Sequence, residues 1–99
     1  MKKELFESAQ VRQFFKAVLA LESEEECRIF FDDILTLNEL KALSQRLEVA
    51  RLLKGEATFA EIAEKTGMSS ATISRVNRCL QYGEGGYKTV LERIEENSE

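Results

Sequence analysis

One local pattern marks three places in the chain and constrains its fold more than any other feature. A Ser or Thr is followed three residues later by a Glu, so that the hydroxyl caps free backbone N–H groups and the carboxylate reaches back to the cap. The three segments are residues 23–26, 36–39 and 58–61, and each marks the start of a helix. Because the chain also lacks proline and has no convincing strand-like alternation, we predict an all-α fold.

The spacing of apolar residues places the helices between these starts. We predict helices at about residues 4–21, 24–31 and 37–53, followed by a helix-turn-helix within residues 58–80. A last helix is indicated by four apolar residues at i, i+3, i+4 and i+7, namely Tyr87, Val90, Leu91 and Ile94. The third helix is expected to bury one apolar side, namely Leu40, Leu43, Leu47, Ala50 and Leu53.

The first predicted helix is apolar on two sides. At about 100° per residue, one stripe and a second group fall on different sides, namely Val11, Phe14, Phe15, Val18 and Leu19 against Leu5, Phe6 and Ala9. A chain of 99 residues offers few internal partners for such a helix. We therefore interpret it as a helix shared across a homodimer interface, with a fully buried core helix as the alternative.

The composition argues against several classes of function. The chain has no histidine, which removes the commonest general base and every Ser-His or Cys-His nucleophile pair. Its two cysteines, Cys27 and Cys79, lack zinc-site spacing and are interpreted as small hydrophobes in a reducing compartment. The chain is thus predicted not to be an enzyme, and we expect no catalytic residue and no metal site.

The same composition bears on the expected location of the chain. No apolar run is long enough to span a membrane. The N-terminal segment "MKKELFES" lacks the continuous apolar core of a signal peptide. We therefore expect a cytoplasmic chain without a membrane partner.

The net charge of −4 conceals a basic middle. Residues 41–82 contain seven Lys/Arg against four Asp/Glu, whereas residues 1–40 contain five against nine and residues 83–99 contain two against five. A DNA-binding surface needs only a local basic face. Acidic flanks therefore do not exclude double-stranded DNA as a partner.

Residues 58–80 have the features of a helix-turn-helix. Ala63 is small enough for a second helix to cross closely, and Gly67 supplies a turn conformation that is unfavourable for other residues. The second helix is expected to start at the cap Ser69. The apolar residues expected to point into the junction between the helices are Met68, Ile73 and Val76.

The outward side of the second helix has chemistry suited to a major groove, and it carries no acid. Hydroxyls bind bases or phosphates, alanine contacts a thymine methyl, and arginine binds guanine or phosphate. The candidate DNA-binding residues are Thr58, Ser69, Ser70, Ala71, Thr72, Ser74, Arg75 and Arg78. The alternative is a structural hairpin in a helical, dimeric protein-interaction module that does not bind DNA.

Residues 34–80 resemble the Trp repressor superfamily, specifically its Trp-repressor-like branch. The likeness lies in the "LT" entry to the third helix, the "ALSQR" segment and the "ATISR" segment of the hairpin. It implies six helices per chain and an intertwined homodimer whose N-terminal helices wrap around the partner. It also implies a sequence-specific transcriptional regulator, which we expect to be a repressor that binds a near-palindromic operator.

The resemblance further implies an effector pocket, as in the tryptophan-sensing members. Two arginines that hold an indole there match Arg46 and Arg75. The "LT" at Leu35 and Thr36 matches a stretch that lines the same pocket from the partner chain.

Two positions depart from that pocket. Val76 stands where the tryptophan-sensing members have glycine, and Cys79 stands where they have serine. The branched side chain of Val76 would take space that an indole needs. We therefore expect no cofactor, and we expect any small-molecule effector to differ from tryptophan. The alternative for Arg46 is a surface ion pair with a nearby Glu.

These observations predict a single domain over residues 1–99. Within it, residues 1–35 form N-terminal dimerisation helices. Residues 36–82 form a core helix and the helix-turn-helix, and residues 83–99 form a C-terminal helix.

Overall fold

The computed structural model describes residues 2–97, which form seven helices. Their bounds are α1 Lys2–Phe6, α2 Ala9–Leu19, α3 Glu24–Ile34, α4 Leu37–Lys54, α5 Phe59–Thr66, α6 Ser70–Tyr82 and α7 Gly86–Asn97. No strand occurs within these described residues. The predicted all-α class is confirmed.

The single helix predicted at residues 4–21 is wrong, because Ser8 divides it. The Ser8 hydroxyl donates to the Leu5 carbonyl over 2.7 Å and accepts the Val11 N–H over 3.3 Å, so it ends α1 and caps α2. The resemblance implied six helices, and this break gives seven in the described part of the chain. The rings of Phe6 and Phe15 stack across the break with centroids 6.0 Å apart.

The predicted helix starts agree with the structure. Ser23 caps α3, although the Glu26 carboxylate accepts the N–H of Glu22 rather than that of Ser23. Thr58 and Glu61 form the full reciprocal cap of α5. The α4 helix begins at Leu37, directly after Thr36, the first residue of the signal at residues 36–39. The α3 helix continues to Ile34, past the predicted end at residue 31.

The chain divides into two compact units, an N-terminal unit that ends at Thr36 and a C-terminal unit that begins at Leu37. The N-terminal unit contains α1–α3, and none of these helices has a buried residue. In the C-terminal unit, α4 packs against α5, α6 and α7. Their buried side chains form one hydrophobic core, namely Val49, Ala50, Ile62, Ile73, Val76 and Leu91.

The predicted buried side of α4 is confirmed in its second half, where Ala50 is buried and Leu47 and Leu53 pack against the core, and it is wrong in the first half. Leu40 and Leu43 remain 46% and 50% exposed, whereas Val49 is fully buried beside Ala50. The α5, α6 and α7 helices pack on the C-terminal half of α4, since both of its buried residues lie there. The first half of α4 therefore presents leucines at the surface of this chain.

Candidate nucleic-acid interface

The turn between α5 and α6 is held by Gly67 and Thr66. Gly67 adopts φ 71° and ψ 7°, a left-handed conformation that other residues adopt only with strain, and its N–H donates to the Ala63 carbonyl. The Thr66 hydroxyl donates to the Ile62 carbonyl over 2.7 Å and accepts the Met68 N–H over 3.1 Å. These bonds fix the direction in which the chain enters α6.

The buried side chains of α6 determine which side of the helix faces the core. Ile73 is fully buried and Val76 is 3% exposed, and both pack in the core with Ile62 of α5. Met68 is partly buried against the same core. These are the three apolar residues predicted to face the junction, and the prediction is confirmed.

The outer side of α6 forms a shallow basic hollow. It has a volume of about 230 Å³ and is lined by Ala71, Ser74, Arg75 and Arg78. These positions follow the i, i+3, i+4, i+7 spacing of one helix face, and all four are exposed. The α6 sequence contains no Asp or Glu, and no ion pair within residues 2–97 involves either arginine. Both guanidinium groups are therefore available to an anionic partner.

The other predicted DNA-binding residues lie at helix starts. The Ser69 hydroxyl accepts the Thr72 N–H over 3.2 Å and donates to the Thr72 hydroxyl over 3.1 Å. Ser70 is exposed as the first residue of α6, whereas Thr58 lies at the start of α5 and is engaged in its cap. The structure thus brings seven of the eight candidates to α6 and its N-cap, with Thr58 on the preceding helix.

One residue of this face was not predicted from the sequence. Tyr82 is the last residue of α6 and is 85% exposed. It follows Ala71, Arg75 and Arg78 at helical spacing, so the pattern that identified those residues extends to it. Gly83 ends the helix immediately afterwards, and a Cβ there would lie 2.4 Å from the Cys79 carbonyl oxygen.

The candidate effector residues occupy different surroundings. Val76 lies in the core, and Arg46 and Cys79 are exposed. Arg46 forms none of the ion pairs found within residues 2–97, so the alternative ion pair with a nearby Glu is absent there. Leu35 is the C-cap of α3, and it belongs with Thr36 to the N-terminal unit.

Arg46 and Cys79 both affect the pKa of the half-buried Tyr87 on α7. Burial raises the pKa of the Tyr87 hydroxyl, the Cys79 thiol raises it further, and the charge of Arg46 partly offsets the rise. Tyr87 packs against the core of the C-terminal unit, where α7 contacts α4 and α6.

Comparison with known proteins decides the family. The model of the Trp repressor protein family matches residues 9–95. The chain belongs to the Trp repressor family. Members of this family are transcription regulators and not enzymes, and at family level they bind DNA and form dimers.

Several relatives cover most of the chain. It is 49% identical over 87 residues to the uncharacterized protein YerC of Bacillus subtilis (strain 168). The aligned region covers 88% of this chain and 84% of YerC. It is 34% identical to a Trp operon repressor homolog of Chlamydia trachomatis serovar L2, over 80% of this chain and 89% of that protein. The crystal structure of a TrpR like protein from Eubacterium eligens matches with a TM-score of 0.89 and 47% identity, over 97% and 99% of the two chains.

Residues 2–97 contain no group of three or more Cys, Asp or Glu side chains placed to hold a metal ion. No helix in the same described range is long and apolar enough to cross a membrane.

Proposed function

We propose that this Trp repressor family member is a sequence-specific transcriptional regulator that binds a near-palindromic operator as a homodimer and represses it. Each protomer would present α6 to a major groove, and two successive grooves on one side of DNA lie about 34 Å apart. Phosphates would be contacted at the start of α5 by Thr58 and at the start of α6 by Ser69 and Ser70, since free N–H groups at helix starts favour anions.

The acid-free outer face of α6 is the observation that supports this function most directly. Ala71 and Ser74 are small enough to let the helix approach base edges, and Arg75 and Arg78 carry guanidinium groups without ion-pair partners in the described part of the chain. A merely structural hairpin has no need to keep its outward face free of acids. The opposite face is packed in the core, so α6 presents this surface without rearrangement.

The homodimer is supported by the apolar surface of the N-terminal unit. A groove of about 470 Å³ lies between α2 and α3. Its lining residues are Gln10, Val11, Gln13, Phe14, Ala17, Phe30 and Ile34. Phe14 and Ile34 remain 38% and 47% exposed, although large apolar side chains favour burial. A second copy of the chain would cover them.

We propose that any effector of this regulator is not tryptophan. Val76 packs among the core side chains, and its two methyl groups occupy space that glycine would leave open. Isothermal titration calorimetry with L-tryptophan is expected to give no saturable heat with the wild-type chain. Saturable binding at a stoichiometry of one per chain would overturn this proposal. Heat that appears with Val76→Gly, in a variant whose circular dichroism shows it to be folded, would support it.

The DNA-binding function is tested by selection from a random double-stranded pool. The affinity for the enriched DNA is then measured by fluorescence anisotropy at several salt concentrations. We expect the logarithm of the association constant to fall linearly with the logarithm of the salt concentration, with a slope of about −0.9 per phosphate contact. Arg75→Ala and Arg78→Ala should each weaken binding. Arg93→Ala is the matched control, since it removes the same charge from an exposed position on α7.

Two results would contradict this function. The first is a pool from which the wild-type chain enriches no sequence. The second is enriched DNA whose binding is equally strong for wild type, Arg75→Ala and Arg78→Ala. Either result would favour the protein-interaction module instead.

A further inference from the structure

The basic hollow on α6 has the size and the lining of a site for a small anion. Its volume of about 230 Å³ is smaller than the roughly 300–1,000 Å³ of pockets that hold drug-sized ligands. Among the described residues, its lining consists of one methyl group, one hydroxyl and two guanidinium groups, from Ala71, Ser74, Arg75 and Arg78. Because these side chains include no aromatic ring, a ligand of the hollow is held by charge and hydrogen bonds.

The two guanidinium groups are placed to serve one ligand. Arg75 and Arg78 are three residues apart on α6, and side chains at this spacing are neighbours on a helix surface. Neither arginine forms an ion pair within residues 2–97, and the α6 sequence contains no acid that could compete. The Ser74 hydroxyl lies one turn before Arg78 and can donate a further hydrogen bond. Three donor groups therefore line a single hollow.

Two joined phosphoryl groups match these donors better than one phosphate does. A guanidinium donates two parallel hydrogen bonds to one phosphoryl group, so a single phosphate engages one arginine and leaves the other unpaired. A diphosphate offers one phosphoryl group to each arginine. It also carries more charge than a phosphodiester of the DNA backbone, which has one negative charge.

We propose that the basic hollow binds the diphosphate group of a small molecule and that this binding releases the chain from DNA. The ligand is inorganic pyrophosphate or a nucleoside diphosphate, which share the two joined phosphoryl groups. Arg75 and Arg78 are also the proposed DNA-binding arginines, so the anion and DNA exclude each other. This inference rests on the proposed DNA-binding function and adds its regulation.

This site differs from the effector pocket that the resemblance implied. The basic hollow lies on the outward side of α6, whereas Val76 packs in the core on the opposite side. A diphosphate would therefore act by occupying the DNA-binding surface itself. It would weaken DNA binding without any change in the packing of α6.

The first experiment measures anion binding without DNA. The phosphorus NMR resonance of pyrophosphate is followed as the chain is added, at constant ionic strength and without divalent cations. We expect saturable binding with a dissociation constant on the order of 1 mM, because the hollow is exposed and its ion pairs are screened. Inorganic phosphate should bind at least about tenfold more weakly, since it engages one arginine.

Substitutions in the hollow are compared by the same measurement. Arg75→Ala and Arg78→Ala should each weaken pyrophosphate binding about tenfold. Arg75→Lys keeps the charge but loses the planar fork, and it should weaken binding about fivefold. Arg93→Ala is the matched control on α7 and should bind like wild type. Unchanged binding by Arg75→Ala or Arg75→Lys, in variants that circular dichroism shows to be folded, would overturn the site.

The second experiment adds the DNA that the wild-type chain enriches from a random pool. If a bound diphosphate excludes DNA, each α6 lowers the DNA affinity by one plus the ratio of the diphosphate concentration to its dissociation constant. At a ratio of about ten, the loss is about tenfold for one helix and about a hundredfold for the two helices of a dimer. Fluorescence anisotropy measures this loss, with sodium chloride adjusted to hold the ionic strength constant.

Two further probes distinguish the sources of the diphosphate. ADP presents a diphosphate on a nucleoside, whereas AMP presents a single phosphoryl group. Release of DNA by ADP at or below the effective pyrophosphate concentration would identify a nucleoside diphosphate as the ligand, and release by pyrophosphate alone would identify the inorganic anion. Release by AMP as strong as that by ADP would contradict the requirement for two joined phosphoryl groups.

The outcomes separate this inference from the function on which it rests. If the wild-type chain enriches no DNA, the proposed function is wrong and the release mechanism is wrong with it. If the chain enriches a motif and neither pyrophosphate nor ADP weakens binding more than inorganic phosphate does at the same ionic strength, the function stands. In that case the diphosphate site is wrong.

Discussion

The two compact units differ in how much of their apolar surface they bury themselves. In the N-terminal unit, α1–α3 have no buried residue and leave large side chains such as Phe15 and Leu19 exposed. In the C-terminal unit, side chains from α4, α5, α6 and α7 form a buried core. The unit that presents α6 can therefore hold that helix by its own packing. The N-terminal unit needs a second surface, which the proposed dimer would supply.

The largest effect is expected in the core of the C-terminal unit. Ile73→Ala removes a fully buried side chain and should lower the free energy of unfolding by about 2–5 kcal/mol, measured by urea denaturation. Ile94→Ala makes the same truncation at a 51% exposed position on α7 and should cost less than half as much. Equal losses at the two positions would break the distinction between core and surface in this unit.

The next effect tests whether the N-terminal unit depends on a second copy. Phe14→Gln removes an aromatic ring from the groove between α2 and α3 and should raise the dimer dissociation constant at least about tenfold. Sedimentation equilibrium measures this constant, and Arg12→Gln provides an exposed control on the same helix outside the groove. A dissociation constant that is the same for wild type and Phe14→Gln would show that the dimer does not cover this groove.

Helix starts were predictable because their signals are local. Ser23, Thr58 and Ser69 each accept a backbone N–H within three residues, so the hydrogen bond is encoded in a four-residue segment. The break at Ser8 was missed because the change of apolar side near it was interpreted as one helix that is apolar on two sides. A serine inside such a pattern has two uses, on the helix surface or as a cap, and spacing alone does not distinguish them.

Burial was less predictable than helix position. The leucines of α4 have the right spacing for a core stripe, yet Leu40 and Leu43 remain about half exposed, whereas Val49 is buried. How much of such a stripe is buried depends on where other helices cross α4, and that is a long-range property. On α6 the outer basic face was predictable, because both the acid-free sequence and the helical spacing are local. The same helical spacing extends to Tyr82, which was not included among the predicted residues.

A third effect tests whether close packing in the C-terminal unit reaches the end of α6. A Cβ on Gly83 would lie 2.4 Å from the Cys79 carbonyl oxygen, a backbone atom that cannot move without shifting α6. Gly83→Ala should therefore lower the free energy of unfolding by about 1–3 kcal/mol. Gly86→Ala, where nothing lies within 4 Å, should be neutral or stabilising by about 0.5–1 kcal/mol. Thermal denaturation distinguishes the two, and a harmless Gly83→Ala would show that the end of α6 adjusts freely.

The smallest effect is expected at the surface of the C-terminal unit, where Glu61 completes the cap of α5. The Thr58 N–H donates to Glu61 Oε1 over 2.8 Å, and this bond, with the Thr58 hydroxyl, holds the pKa of the Glu61 carboxyl below its ordinary value. Because the folded pKa is the lower one, the carboxylate stabilises the fold above the unfolded pKa, and that contribution is lost as the pH falls through the folded value.

Glu61→Gln keeps a carbonyl oxygen that can accept the Thr58 N–H but cannot titrate. The melting temperature of wild type should exceed that of Glu61→Gln near pH 7, and the difference should vanish as the pH falls below about 4.5, the ordinary value. Glu64→Gln removes the same charge from α5 away from the cap, so subtracting its effect isolates the hydrogen bond. A difference that stays constant from about pH 7 to about pH 3 would mean that the charged carboxylate adds nothing to the cap.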